Sequence, residues 1–420
     1  MPVEKTNKYF PLLRFPAFQS TEQWKTKKLG DIAELYAGAT PSTSVSEYWT
    51  EGTIPWMSSG EVHNGQIFVT EKKITPLGYD KSSTKMVPAN SVIVALAGQG
   101  KTRGSVAITR ISLCTNQSLC SILPNETYDS DYLYFFLKSQ YETLRFISSG
   151  DGTRGGLNLQ MLRDFLIPFP SLEEQHIIAL FLSSIDSFIS SINGKVEQLK
   201  IHKKSLMQKL FPQKGQTAPV FRFPEFNTEW KKVTLGDIFV ERREHSTITD
   251  DLPQLSFTIE EGVIYPNNKK TNKRDFLIND KDNKKFLVTY IDDIIYNPAN
   301  VIYGAIHKNS LCNGVVSPIY KIFSTSQDAS FMEYVVRMPE FIQKMSTYME
   351  GTVLKLRTLK PESFLKMEVF IAPSLAEQRK IAECLSSIDK TIEYYTKKSV
   401  ILEQHKKGLM QQLFPKLKEL

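Results

Sequence analysis

The sequence predicts an α/β (α+β) chain in which two globular, strand-rich units are joined by two long antiparallel coiled-coil helices, with an internal pseudo-twofold. Three observations predict it. A segment of 43 residues is written twice, each copy carries an unbroken heptad seam, and the interiors between them are short apolar runs punctuated by Gly, Pro and Asn.

The repeat comes first, because missing it would misassign the whole fold. Residues 170–212 and 373–415 align at a constant offset of 203 without a gap, and over half of the positions are identical. Upstream, Arg14-Phe-Pro and Trp24-Lys-Thr-Lys-Lys-Leu-Gly-Asp-Ile recur as Arg222-Phe-Pro and Trp230-Lys-Lys-Val-Thr-Leu-Gly-Asp-Ile. Between these shared ends, residues 33–157 and 239–352 have little in common beyond length and a Gly-Thr pair near the end. Drift after duplication blurs all positions alike. A retained frame around replaced interiors points to one scaffold carrying two different surfaces. The expected boundaries are 1–169 and 213–372 for the globular units, with helices at 170–212 and 373–420.

In the first helix, Ile178, Leu182, Ile185, Ile189, Ile192, Val196, Leu199, Lys203, Leu206 and Leu210 follow steps of 4 and 3, the mark of a coiled-coil seam. The second copy places Ile381, Leu385, Ile388, Ile392, Tyr395, Ser399, Leu402, Lys406, Leu409 and Leu413 in the same register. Ser171-Leu-Glu-Glu174 reads as a capping box, and Phe-Pro stops each helix. A helix of about 40 residues is about 60 Å long, and a seam of that length must be covered. The simplest cover for each helix is the other, and a pseudo-twofold makes the pair antiparallel. Lys203 and Lys406 hold equivalent seam positions, where a lysine either snorkels to solvent or fixes the register.

Strands are expected over 91–97, 105–109, 118–123, 285–290, 293–296 and 315–322, and helices over 130–147 and 330–348. Basic residues gather on the intervening loops. The first unit carries Lys101 and Arg103 in Gly-Gln-Gly-Lys-Thr-Arg-Gly, and Arg154 in Gly-Asp-Gly-Thr-Arg-Gly-Gly. In the second, residues 267–285 hold seven Lys/Arg against three Asp, among them Lys269, Lys270, Lys273, Arg274, Lys284 and Lys285. His307, Lys308, Lys355 and Arg357 follow. Such clusters suit phosphate contacts and, where an Arg reaches the major groove, guanine edges. A solvated loop face is the competing reading for any one of them. The net charge of +7 agrees with nucleic acid but does not demand it.

Catalytic signatures fail on context. Ala97-Gly-Gln-Gly-Lys-Thr has alanine at 95 where a phosphate-binding loop needs glycine, and a strand follows it. Asn297-Pro-Ala lacks the second proline and the aromatic of an adenine-methyltransferase loop. Cys114 and Cys120 have no partner pair, so no zinc site or other metal site is expected, and no cofactor. The four scattered cysteines suit a reducing, cytoplasmic setting. No signal peptide is read at the N-terminus, and no run is expected to approach the roughly 18 apolar residues of a membrane span.

The paired Pro-Ser-Leu-x-Glu-Gln starts, Leu-Ser-Ser-Ile-Asp (182–186 and 385–389), the Lys-Lys-x-Leu-Met-Gln-x-Leu-Phe-Pro ends and Gly-Thr-Arg-Gly-Gly-Leu-Asn (152–158) together resemble the specificity subunits of type I restriction-modification systems. The likeness covers essentially the whole chain. It implies a non-catalytic subunit whose two target-recognition domains each read half of a split, asymmetric sequence in double-stranded DNA. It further implies spacer helices that dock two copies of a DNA adenine methyltransferase subunit, and a motor-nuclease subunit that can join them. Methyl donor, magnesium and ATP would belong to those partners. The second unit has Val353-Leu-Lys-Leu-Arg in place of the Arg-Gly-Gly-Leu-Asn wording, so no role passes from Arg154 to it. Two alternatives remain: a recognition subunit of another two-component methyltransferase-nuclease, and a coiled-coil adaptor that binds no DNA. The adaptor would show no salt-dependent affinity for duplex DNA.

Overall fold

A computed structural model describes residues 11–98, 100–148, 156–213, 215–268, 285–351 and 357–415. The chain divides into two units, residues 1–194 with 395–420 and residues 195–394. The repeated segments form helices of 39 residues each, Leu172–Leu210 and Leu375–Leu413. The first long helix gives its residues up to 194 to unit 1 and the rest to unit 2. The second gives its residues from 395 to unit 1.

Within unit 1 the helices run antiparallel, since Asp186 meets Lys406 while Asn193 meets Ser399, whose hydroxyl donates to the Asn193 side chain at 2.7 Å. Within unit 2, Lys203 meets Asp389, and Leu210 shares a core with Ile381 and Ala382, again antiparallel. All twenty seam positions are buried or half-buried. The helix ends plug the units. Phe414 packs edge-on against Tyr132 and Phe136 in the core of unit 1, and Phe211 packs against Trp230 and Phe331 in that of unit 2.

Unit 1 holds a five-stranded sheet in the order 35–37, 119–122, 92–95, 106–109, 66–67, with only the last pair parallel. A second sheet of four strands runs 72–74, 54–57, 113–115, 86–87. Unit 2 has an antiparallel sheet ordered 239–242, 321–325, 294–296, 306–308, and smaller sheets of three and two strands. The first four strands of the unit 1 sheet and the four of unit 2 therefore follow one topology, which the diverged interiors did not disclose. In each unit the Trp-Lys strand closes a two-stranded ribbon with the strand entering the long helix, 25–28 with 166–169 and 231–234 with 368–371.

Several expected elements are corrected. The helix over 130–147 is two, Ser130–Ser139 and Tyr141–Ile147, broken at Gln140. The helix over 330–348 breaks before Pro339, whose missing N–H ends one helix and starts the next. The strand over 315–322 is interrupted at Pro318, leaving strands Gly314–Val316 and Lys321–Thr325. The first long helix is long and apolar enough, by length and composition, to cross a bilayer, contrary to expectation. Its seam residues are buried or half-buried, Ser183, Ser184, Asp186, Ser187, Ser190 and Ser191 fill most of the rest of the middle turns, and Leu172, Ile177, Leu180, Phe188 and Ile201 are apolar residues exposed off the seam.

Candidate nucleic-acid interface

The repeated words are the joint between each long helix and its unit. Ser171 does cap the first helix, accepting from the Glu174 N–H at 3.3 Å. The Glu174 carboxylate, expected to complete a capping box, goes elsewhere. Arg14 Nε and Nη2 donate to its two oxygens, both at 2.7 Å, with side chains only 5% and 1% exposed. The same Nη2 donates to the Thr21 hydroxyl at 2.8 Å. In unit 2, Arg222 grips Glu377 at 2.7 and 2.9 Å, and Trp230 Nε1 donates to the same carboxylate at 3.1 Å. Hydrogen bonding to these carboxylates raises both guanidiniums above their ordinary pKa, against the opposing pull of burial.

The next residue makes the second joint. Gln175 Nε2 donates to the Pro170 carbonyl, and its Oε1 accepts from the Asp129 N–H at 3.1 Å. Asp129 in turn caps Ser130–Ser139 through the Tyr132 N–H. Gln378 repeats this with Ala372 and with Asp328, the cap of Ala329–Val336. Arg14, Glu174 and Gln175, with Arg222, Trp230, Glu377 and Gln378, stand in the repeated words of the sequence, which did not pair them across the chain, and Asp129 and Asp328 lie outside those words. The signal available was that Arg and Glu recur together in both copies.

The seam lysines neither snorkel nor stand alone. Lys203 donates to both Asp389 oxygens at 2.6 and 2.7 Å, and Tyr334 donates to the same carboxylate at 2.7 Å. Lys406 pairs with Asp186 and lies 4.6 Å from the centroid of the Phe135 ring. Burial, then the charge of Lys138, pushes the Lys406 ammonium below its usual pKa, and Asp186 opposes them. Because the offset is 203, these are one pair written twice with the partners exchanged.

The proposed DNA contacts fall unevenly. Lys101 is exposed on a turn stiffened from behind: Tyr141 donates to its carbonyl at 2.8 Å, and Arg145 donates to the Gly100 carbonyl at 2.9 Å. Gly100 and Gly104 have φ of 61° and 81°, which a side chain rarely adopts. Arg103 is half-buried on the same turn, and Leu157 joins it through Leu96 by a backbone bond of 3.1 Å. In unit 2, Lys285 is exposed at the start of Phe286–Thr289, and Lys308 is paired with Asp292 at 2.8 Å. Arg357 is exposed, its Nε donating to the Gly351 carbonyl at 3.2 Å. Arg154, Lys269, Lys270, Lys273, Arg274, Lys284 and Lys355 lie outside the described residues.

His307, grouped by sequence with these loops, is instead buried. Its ring meets the Ile259 carbonyl at 2.8 Å and Arg337 at 2.6 Å, with Glu333 at 3.4 Å. Burial pushes the Glu333 carboxyl up, but His307 and Arg337 outweigh it and hold the group below the usual glutamate range. Cys114 and Cys120 are likewise buried, and burial pushes their thiols up to about 11 and about 12. Among the described residues no group of three His, Cys, Asp or Glu side chains could hold a metal ion.

The Type I restriction modification DNA specificity domain model matches residues 21–200. The chain is 33% identical over 232 residues to the type I restriction enzyme MjaIX specificity subunit of Methanocaldococcus jannaschii, a match covering 52% of each chain. It thus spans about half the length of that relative. It is 26% identical to the MjaVIII specificity subunit of the same organism, over 93% of this chain and 91% of that one. In fold it resembles the crystal structure of the type I restriction-modification S subunit from M. genitalium, with a TM-score of 0.60 and 18% identity, over 97% of this chain and 100% of that one.

Proposed function

We propose that this chain is a specificity subunit of the type I restriction-modification kind and that it reads an asymmetric, two-part target in double-stranded DNA, one part with each unit. The observation that carries this reading is the contrast between frame and interior. The Arg–Glu, Gln–Asp and Lys–Asp joints are the same in both units. The sheets that those joints hold share an order of strands but not a surface. One scaffold presenting two unlike surfaces suits a target whose halves differ.

The chain is a recognition subunit without catalytic chemistry of its own. Two copies of a DNA adenine methyltransferase subunit dock on the two frames and supply methyl transfer, and two motor-nuclease subunits complete the cleaving complex. The chain works in the cytoplasm, where its DNA is. Sequence-independent affinity comes from the exposed cations, Lys101, Lys285 and Arg357 among those described, with Arg103 and Lys308 beside them. The basic residues of 269–284, Arg154 and Lys355 add their charge to that affinity. Phosphate contacts of this kind make binding fall steeply with salt.

The test is co-expression with a DNA adenine methyltransferase subunit, followed by modification-sensitive sequencing of the host DNA. The expected product is methylation at a split target with unlike halves. One helical turn inserted at Ser190 adds about 5.4 Å of helix, or one to two base pairs at about 3.4 Å each. The unread spacer should lengthen by that amount. A symmetric target, or a spacer indifferent to the insertion, would refute the reading.

A further inference from the structure

Between Gln66–Ile67 and Lys72–Ile74 of unit 1, the chain turns through Phe68 and Val69. Their side chains are 67% and 71% exposed. Single exposed apolar residues need no explanation. Two in succession at the tip of a tightly held turn do, because the surroundings prevent the tip from folding down.

Both stems are fixed. Gln66 and Ile67 pair in parallel with Ile108 and Thr109, and the Arg110 N–H donates to the Ile67 carbonyl at 2.8 Å. On the other side the buried Thr70 hydroxyl donates to the Lys72 carbonyl at 2.7 Å. The Glu71 N–H donates at 2.9 Å to Glu61, a carboxylate only 2% exposed. Glu61 also accepts from the Ser58 N–H at 2.7 Å, so the carboxylate ties the turn to the backbone that precedes it. A buried carboxylate spent on shaping a turn holds an apolar tip out in water.

The setting is cationic and aromatic. Beyond Thr70 and Glu71, Lys72 and Lys73 line an open cleft of about 570 Å³ together with Glu71, Trp49 and Trp56. The two indoles pack edge to face at 5.0 Å. Lysines that can reach backbone phosphates, set beside a rigid apolar tip, are the composition by which proteins wedge base steps apart. A tip serving only as a partner contact would not need flanking phosphate ligands.

We infer that Phe68 and Val69 form a wedge that inserts into the base stack of the half-site read by unit 1, unstacking one step while Lys72 and Lys73 hold the flanking phosphates. This rests on the DNA-reading function proposed above. It makes the local deformability of that step a determinant of the target, in addition to any base-edge contact.

The experiment uses the full chain in complex with its methyltransferase subunit. The probes are duplexes of the target found by methylation mapping, each carrying one 2-aminopurine at successive positions. Away from the methylated adenines, which the methyltransferase itself extrudes, the wild-type complex should raise the fluorescence several-fold at one step, in the half-site read by unit 1. F68S/V69S should abolish that rise and weaken specific binding by about five- to a hundredfold. L12S, which removes an equally exposed apolar residue of unit 1 (85% exposed), should leave both unchanged. Specific binding without a fluorescence rise at any such position, or a rise that survives F68S/V69S, overturns the wedge and leaves the DNA-reading function standing. Loss of methyltransferase association with DNA affinity intact also overturns it, assigning the tip to a protein partner. A wild-type complex with no salt-dependent, specific binding overturns both.

Discussion

Arg14→Ala is the sharpest perturbation of the frame. It removes the partner of Glu174, a carboxylate 1% exposed that accepts two charged hydrogen bonds at 2.7 Å. Deleting one member of a buried ion pair costs about 3–5 kcal/mol, because the other charge remains buried and unpaired. R14M/E174L removes both charges and should recover most of that loss, leaving about 1–2 kcal/mol for the hydrogen bonds to Thr21 and Glu22. In unit 2, Arg222 is 19% exposed and Trp230 still donates to Glu377 when the arginine is gone, so R222A should cost about half as much. A chain of two units is poorly described by one unfolding midpoint. The assay is therefore hydrogen exchange, comparing peptides 171–182 and 374–385. R14A should speed exchange in the first peptide by roughly a hundred- to a few-thousandfold and leave the second near wild type. If both peptides respond equally, or neither does, the joint is not what fixes the helix start.

The two seam pairs should differ in the same way. D186A strands Lys406, 7% exposed, and should cost about 2–4 kcal/mol, whereas D389A strands Lys203, 22% exposed, and should cost about 1 kcal/mol; chemical denaturation read by exchange in each unit checks the order. Trp24 Nε1 has no acceptor among the described residues, while Trp230 Nε1 donates to Glu377, so W230F should destabilise its unit by about 1–3 kcal/mol more than W24F does, read the same way. The Glu333 carboxyl sits below its usual pKa in the fold, so it contributes stability that is full above about pH 4.5 and is lost as pH falls through the lowered folded value. The advantage of wild type over E333Q should therefore shrink between pH 6 and pH 3, and an advantage that grows on acidification would reverse the sign. At pH 8 the folded protein should expose Cys312 and Cys384 to a thiol reagent and protect Cys114 and Cys120, whose thiols burial pushes up to about 11 and about 12. Rapid labelling of all four without unfolding would contradict that burial.

What the sequence disclosed follows from what each element needs. A heptad seam needs only a spacing, so Leu182, Ile185, Ile189, Ile192, Leu385, Ile388, Ile392 and Leu402 could be placed by period. Pro339 and Pro318 mark two of the breaks in the sequence itself, whereas no such residue stands at Gln140, where the third falls. The Glu174 carboxylate was assigned to its own helix because a local capping partner stands three residues away. Arg14, 160 residues distant, wins because two charged hydrogen bonds outweigh one to a backbone amide. His307 looked like a loop cation because neighbours in sequence were basic, yet Gly262 lets the chain close over it: a Cβ there would lie 2.7 Å from the His307 Cβ. The basic loops were legible as clusters only. A solvated lysine and a phosphate ligand carry the same letter, and neither has a spacing to betray it.

The same physics explains why the frame is repeated nearly word for word while the sheets agree only in strand order. The frame residues are polar, mostly buried or half-buried, and matched to particular partners. Replacing Arg14, Glu174, Gln175, Asp186 or Lys406 alone leaves an unpaired group in a dry place, at a cost of one to several kcal/mol. A sheet position such as Ile93 against Ile295 asks only for an apolar side chain of tolerable volume, and such exchanges usually cost less than about 1.5 kcal/mol. Substitution can therefore run through the interiors without moving a strand, whereas the frame can change only in matched pairs. Loops at the strand ends are freer still, since they answer to neither constraint. A chain built this way can acquire a new recognition surface in one unit without disturbing the joint that orients it, or the other unit at all.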